Sequence, residues 1–544
     1  MLFKFISVQV RTAIPKHFPQ LLLPLNLGRT IKFPSLTASY SWVHDNQLFK
    51  RHPRLRILEE QCTTFHHFKQ ALSYIVVSGL HRNRFVMSRV LYLSLFELEG
   101  DIKRKSEFGV QIFNQFERPN IFSWNTVIRF LAECNDSQNS VMALNYYMNM
   151  VRQEVFPDNY TFPFLLQACG AISDIGLVKQ IHSHVLKLRH GCNLFVQNSL
   201  LGAYLICGSS VDAWSLFDEM LEKDVVSWTT LISGLVEQFN YREALQVFRE
   251  MIAGNFQTRP NVATMISAVS ACGNLGSLDH TKCFHALLEK AGWLELDVAI
   301  ANSLINAYAK SGSMKCSTKV FDDMHDSKRD VYSWTAVISG YAMHGEGVDA
   351  LNMFSQMEQV HGLIPDAITF IATLSACVHS GQVEEGLRIF KHMNTKYGIE
   401  PNLKHYGCIV DLLGRAGMLK RAYSIVQKMP QEPNLAILGS LLNACRLHNS
   451  VEMGETILKK IELVAQRSGG APVLLSNMYA KENQWSKVSH IRVEMRGVMQ
   501  EKPPGRSWIQ VKDAVHEFVV ADKSHTKAME LDIVLQGLES LTKM

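Results

Sequence analysis

The 544-residue chain is short of several things at once. No apolar run approaches the roughly 18 residues of a transmembrane helix, so no membrane span is expected. The eleven cysteines are scattered and odd in number, which does not look like a disulfide framework and fits a reducing or organellar interior. Gly (32) and Pro (16) are too few for a collagen-like or proline-rich chain. Acid is missing from the first 44 residues. Residues 1–50 carry Lys4, Arg11, Lys16, Arg29, Lys32 and Lys50 against Asp45 alone, which is the whole formal surplus of +5. The remainder holds 49 basic and 49 acidic residues. A neutral body gives no diffuse attraction for nucleic acid, so any such function must come from placed residues.

What is present is a folding composition: 47% apolar and 19% charged residues, enough for a large core and unlike a disordered chain. The acid-free, Ser/Thr-containing start with Arg and Lys among Leu, Ile and Phe has the composition of an organellar transit peptide over about residues 1–50. Mitochondrion is the expected destination, with chloroplast as the alternative. A secretory signal does not fit, because the apolar stretch Leu21–Leu27 is short and broken by Pro24.

Beyond the leader the chain repeats itself. Phe122-Ser-Trp-Asn-Thr-Val-Ile128, Val226-Ser-Trp-Thr-Thr-Leu-Ile232 and Tyr332-Ser-Trp-Thr-Ala-Val-Ile338 read almost alike, and Trp124, Trp228 and Trp334 stand 104 and 106 residues apart. Ala168-Cys169, Ala271-Cys272 and Ala376-Cys377 follow the same beat, as do Phe217-Asp-Glu-Met220 and Phe321-Asp-Asp-Met324. Three slightly unequal units fill each long period. Each unit reads as two helices. In 225–261, Val225, Leu231, Ile232 and Leu235 mark one apolar stripe and Ala244, Leu245, Val247, Phe248 and Met251 a second, with Gln238-Phe-Asn240 as the turn. Units close on Pro157-Asp158, Pro260-Asn261, Pro365-Asp366, Pro401-Asn402 and Pro433-Asn434. Proline stops one helix and Asp or Asn caps the next. A lone hairpin cannot bury both apolar faces, whereas stacked hairpins can. The expected fold is all-α, a right-handed α-solenoid of helix-turn-helix repeats.

Val225-Val-Ser-Trp-Thr-Thr-Leu-Ile-Ser-Gly234, the Glu243-Ala-Leu-x-x-Phe-x-x-Met251 second helix and the Pro-Asn close resemble the pentatricopeptide repeat (PPR) of plants, and unequal units in triplets resemble its PLS subclass. The tetratricopeptide start Trp-x-x-Leu-Gly-x-x-Tyr is absent. The resemblance implies about eleven units over 52–434, with the second running 85–120. Leu441-Leu-Asn-Ala-Cys-Arg446 is similar to the family's E1 motif, and Val473-Leu-Leu-Ser-Asn-Met-Tyr-Ala480 through Pro504-Gly-Arg-Ser-Trp-Ile509 to E2 and its Pro-Gly box. These give E1/E2 helical motifs over 435–510 and a short E+-like extension over 511–544, with His516-Glu-Phe and Asp522-Lys-Ser-His525 in it. Leu438 stands where E1 usually has Trp.

In that family the fifth residue of the first helix and the last residue of the repeat read one RNA base. Carried over, Asn125 with Asp158, Asn198 with Asp224 and Asn302 with Asp330 would favour U. Thr229 with Asn261 would favour A, and Thr335 with Asp366 would favour G. Pro163, Ile266 and Ile371 occupy the fifth position of L-type units and offer no hydrogen bond. Gly407 and Arg89 also depart from the pattern, so no base is assigned there. The implied core is 5′-U-N-U-A-N-U-G-3′, with the G about six nucleotides before an edited cytidine. Phe122, Val226 and Tyr332, at the second position, would flank bases, and Val226 is equally open to a core role. The capping role of the same Asp and Asn residues is equally open on sequence alone. The three tryptophans are expected to pack between repeats rather than to stack on bases.

Catalysis is not expected. Many relatives carry a DYW-type cytidine deaminase, whose zinc chemistry needs His-x-Glu and Cys-x-x-Cys. The chain has no Cys-x-x-Cys, and its His344-Gly-Glu346 falls between two repeat helices. Only 35 residues follow the Pro-Gly box that ends at Ile509, too few for that domain. Cys169, Cys272, Cys377 and Cys445 recur at one helical position, as small core residues do. Cys62-x-x-x-His66-His67 and His190-Gly-Cys192 lack further ligands at zinc spacing. No metal, cofactor or catalytic residue is assigned. The resemblance implies a factor that binds single-stranded organellar RNA beside a cytidine, with a DYW-type deaminase supplied in trans and docked through the E region. An RNA processing, splicing or stability factor, and a protein-binding scaffold, are the alternatives.

Overall fold

The computed structural model describes residues 52, 55, 65–98, 101–253, 258–464, 470–496, 506–511, 514–519 and 528–542. The leader, Cys62, Pro504, Gly505 and Asp522–His525 lie outside them. The chain divides into two compact bodies, the first ending at Ile172 and the second beginning at Ser173.

In each body antiparallel helix pairs follow one another, typically 13 residues for the first helix of a pair. The first helices begin where the sequence supplies a cap. Asp224, Asn261, Asp330, Asp366 and Asn402 each accept the backbone N–H three residues on, and the residue there returns a bond to the cap's own N–H. Each such cap contributes about 0.5–2 kcal/mol. The two helices of a pair pack through the expected stripes: Leu231, Ile232 and Leu235 of Val225–Glu237 against Ala244, Val247, Phe248 and Met251 of Tyr241–Ala253, all buried. Val225, placed in that stripe from sequence, is only half-buried because it opens the helix.

First helices also stack on first helices of neighbouring units, as Val262–Asn274 on Val298–Lys310 and Val331–Met343 on Ala367–Ser380. Small residues set the spacing. A Cβ on Gly273 would stand 2.6 Å from the Ala307 Cα. Cys169, Cys272, Cys377 and Cys445 are fully buried. Leu438, in the tryptophan's place, is buried as well.

The helical architecture expected from sequence is what the described repeats show. One element departs from it. Arg506–Val511 and Ala514–Val519 form an antiparallel two-stranded sheet, with Trp508 opposite Glu517 and Ile509 opposite His516. The first strand occupies the end of the span expected to be helical. Pro503-Pro504-Gly505 excludes helix there, and both segments are rich in Trp, Ile, Val and Phe, which favour a pleated strand. The helix Ala528–Thr542 follows. Among the described residues no helix is long and apolar enough to cross a membrane.

Candidate nucleic-acid interface

The residues singled out at fifth and last positions lie 26 to 33 apart in sequence at the three Asn–Asp junctions, and they meet. Asn125 Nδ2 donates to Asp158 Oδ1, Asn198 Nδ2 to Asp224 Oδ1 and Asn302 Nδ2 to Asp330 Oδ1, each at 3.1 Å. A hydroxyl at the third position of the following helix completes two of these junctions. Thr161 Oγ1 lies 2.8 Å from Asn125 Oδ1 and 2.9 Å from Asp158 Oδ1, and Ser227 Oγ lies 2.7 Å from Asn198 Oδ1 and 2.9 Å from Asp224 Oδ1, so each hydroxyl shares its one proton between the two acceptors. At the third, Ser333 Oγ donates to Asp330 Oδ1 alone, and the buried Asn302 Oδ1 has no partner among the described residues.

The threonine junctions close through the same hydroxyl. Thr229 Oγ1 lies 2.6 Å from Thr264 Oγ1, and Thr335 Oγ1 lies 2.7 Å from Thr369 Oγ1. Proton counting assigns the donor. Thr264 gives its hydroxyl proton to Asn261 Oδ1 at 2.9 Å and Thr369 gives its own to Asp366 Oδ1 at 2.8 Å. Thr229 and Thr335 are therefore the donors, and each has lone pairs left to present.

The capping and pairing roles do not compete. The Asp158, Asp224, Asp330 and Asp366 hydrogen bonds all fall on Oδ1, which takes the helix N–H, the hydroxyl and, at the first three, the asparagine. Among the described residues no hydrogen bond reaches Oδ2 at any of the four. Asn261 uses Oδ1 in the same way and keeps its amide N–H groups.

A sixth junction of this form was not read from the sequence. With the second unit begun at residue 85, Arg89 takes the fifth position. The helix begins at Arg84, because Asn83 caps it by accepting from Phe85 N and Val86 N. Ser88 therefore stands fifth. Ser88 Oγ donates to the Arg84 carbonyl at 2.5 Å and lies 2.8 Å from Ser123 Oγ and 3.2 Å from Asn120 Oδ1, and Ser123 donates to Asn120 Oδ1 at 2.8 Å. Arg89 is spent elsewhere, ion-paired with Glu97 at 3.3 Å and set over the Tyr92 ring. The Asn-x-x-x-x-Ser spacing Asn83 to Ser88, matching Asn193 to Asn198, is the signal that would have found it.

Other fifth positions carry no polar atom for the task. Pro163 is buried, Ile266 and Ile371 are half-buried, and Gly407 has no side chain. The tryptophans pack onto the preceding unit as expected: Trp124 edge-on to Phe113 at 4.7 Å, Trp228 to Phe217 at 5.0 Å and Trp334 to Phe321 at 4.9 Å. At the second position, Val226 and Tyr332 are exposed and Phe122 is half-buried. His344 caps its helix and bonds the Ala309 carbonyl at 2.8 Å. No cluster of three metal-ligating side chains occurs among the described residues.

Comparison with known proteins identifies the family. Residues 223–274 and 329–379 match the PPR repeat family, residues 198–225, 300–328 and 404–433 match the PPR repeat, 359–416 the pentatricopeptide repeat domain and 448–510 the E motif. A pentatricopeptide repeat-containing protein of Arabidopsis thaliana is 34% identical over 496 residues, 89% of this chain and 96% of its own. A second, described as chloroplastic/mitochondrial, is 36% identical over 492 residues, covering 88% and 76%. The crystal structure of the pentatricopeptide repeat protein PPR10 from maize shares the fold at a TM-score of 0.57 and 18% identity, over 80% of this chain and 61% of that one. The chain is a member of the pentatricopeptide repeat family and carries the family's E motif.

Proposed function

We propose that the chain binds single-stranded RNA in a plant organelle and reads one base at each polar junction. The carrying observation is the pairing of fifth and last residues, direct at the Asn–Asp junctions and through Thr264 or Thr369 at the threonine ones, with specific atoms left over. At the Asn–Asp junctions an amide N–H and a carboxylate Oδ2 remain. That donor–acceptor pair complements a carbonyl and the N3–H of uracil. At Thr229–Asn261 a hydroxyl lone pair and an amide N–H remain, matching the N6 amino group and N1 of adenine. At Thr335–Asp366 two acceptors remain, matching N1–H and the N2 amino group of guanine. Ser88 with Asn120 repeats the adenine pattern. The core becomes 5′-A-U-N-U-A-N-U-G-3′.

Binding of the chain to this oligonucleotide and to its single-base variants tests the reading. Loss of affinity is expected at each of the six assigned positions and little change at either N. Indifference at all six would overturn it.

The E motif over 448–510 supports the finer reading, in which the bound RNA presents a cytidine to a DYW-type deaminase supplied in trans and docked on this region. Mitochondrion is the organelle in this reading, from the leader composition. Relatives described as mitochondrial and as chloroplastic/mitochondrial accord with an organelle. Comparing organellar transcripts with their genes in a knockout line is the test. Loss of one C-to-U change is expected. Altered transcript ends or retained introns with all edits intact would reject the editing role.

A further inference from the structure

The junctions with a polar fifth residue share a feature that neither member of the reading pair supplies. After Ser88, Asn125, Asn198, Thr229, Asn302 and Thr335, the third residue of the next first helix is Ser123, Thr161, Ser227, Thr264, Ser333 and Thr369 in turn, always a hydroxyl and always fully buried. After Pro163, Ile266 and Gly407 it is Val196, Ile300 and Ile437, buried too and without a hydroxyl. After Ile371 it is His405, whose ring is engaged by the Ala367 carbonyl and the Asn402 cap. Helix capping does not explain the difference. Asn193 accepts from Val196 N at 3.2 Å, Asn434 from Ile437 N at 3.0 Å and Asp297 from Ala299 N at 2.8 Å, so the cap forms with no hydroxyl at the third position.

We propose that Thr264 and Thr369 are positioning residues for base recognition, each fixing which atom the threonine of the preceding unit presents to its base. This rests on the RNA-binding reading above. Every hydrogen-bonding site of the two hydroxyls is engaged. Thr264 Oγ1 donates to Asn261 Oδ1 and accepts from Asn261 N at 3.2 Å and from Thr229. Thr369 Oγ1 donates to Asp366 Oδ1 and accepts from Asp366 N at 3.4 Å and from Thr335. A hydroxyl has one proton and two lone pairs, and all three are used. Thr229 and Thr335 must then direct their own protons inward, which leaves only lone pairs for a base. Without the third-position hydroxyl the Thr335 proton is free to turn outward. An outward donor beside the Asp366 acceptor matches N1 and the N6 amino group of adenine, so the junction no longer separates G from A. Thr161 and Ser227 hold the asparagine oxygens of their junctions, whereas Ser333 reaches only Asp330.

Competition between 5′-AUNUANUG-3′ and 5′-AUNUANUA-3′ for the full chain provides the test. In Thr369→Val the preference for G over A at the last position falls by about five-fold or more, while preferences at the other five assigned positions stand. Thr369→Ser keeps the hydroxyl and keeps the preference. Weaker binding of both oligonucleotides at an unchanged ratio makes Thr369 a packing and capping residue, and the proposal fails. Should Thr369→Val not fold, Thr264→Val decides at the Thr229 position, where the released Thr229 proton and Asn261 Oδ1 admit guanine. A narrowed preference for A over G there upholds the proposal and an unchanged one rejects it. A wild-type chain indifferent between G and A at the last position rejects both this and the reading of that base. A wild-type preference that Thr369→Val leaves intact rejects this inference alone.

Discussion

Single atoms carry the specificity argument. Thr335 and Asn302 sit at the same helical position and differ only in what their side chains leave over after bonding inward. Exchanging one for the other exchanges the pattern offered to a base. Thr335→Asn, beside Asp366, should therefore move preference at that position from G to U. A matched pair of hydrogen bonds is worth about 1–3 kcal/mol of discrimination, so competition binding should shift by roughly five-fold or more. No shift would mean that Thr335 only ties repeats together. The start of the second unit gives a separate check. Ser88→Ala should weaken preference for A at the first core position, whereas Arg89→Ala, on the ion pair to Glu97, should leave it intact. The reverse outcome would restore the register that begins at residue 85.

Helix stacking decides how closely successive reading residues can stand. Glycine in a helix is ordinarily unfavourable by about 1 kcal/mol relative to alanine. Gly273 is retained against that preference because the Ala307 backbone crosses it, 2.6 Å from where a Cβ would be. Gly273→Ala should therefore destabilise the second body by about 1–3 kcal/mol, the range for overpacking, rather than stabilise it, as read by thermal or denaturant unfolding. Trp124, Trp228 and Trp334 act at the same scale. Each seals a unit against the phenylalanine of the one before, which commits the indole rings to packing between units.

Over the molecule, histidines tie units together and make stability depend on pH. His182 bonds the Tyr204 hydroxyl and His285 the Tyr308 hydroxyl, both at 2.8 Å. His405 donates from Nε2 to the Ala367 carbonyl at 2.9 Å and accepts the Asn402 N–H on Nδ1. Burial lowers the pKa of all three below the ordinary 6.5. Acids beside His182 and His285 offset part of the effect, while at His405 the Ala367 hydrogen bond opposes it and Lys404 adds to it. The unfolded chain then binds more protons than the folded one below pH 6.5. The histidine contribution is in place above that pH and is lost as pH falls from 6.5 through the lower folded values. The second body's melting temperature should drop between pH 7 and 5. His405→Gln should flatten part of that slope.

The sequence by itself determined the unit length, the caps, the buried stripes and the kinds of side chain at fifth and last positions, because each is a local matter of helix period and backbone bonding. Tertiary structure decided the rest. Which hydroxyl bridges each pair depends on packing residues about 26 to 36 apart. That Ser88 rather than Arg89 faces Asn120 depends on where Asn83 starts a helix. The strand pairing of 506–511 with 514–519 likewise needs a partner that no helical period announces. Hydrogen bonds between distant residues are selected by the stacked backbone, which brings together atoms whose identities the sequence supplies and whose meeting it does not.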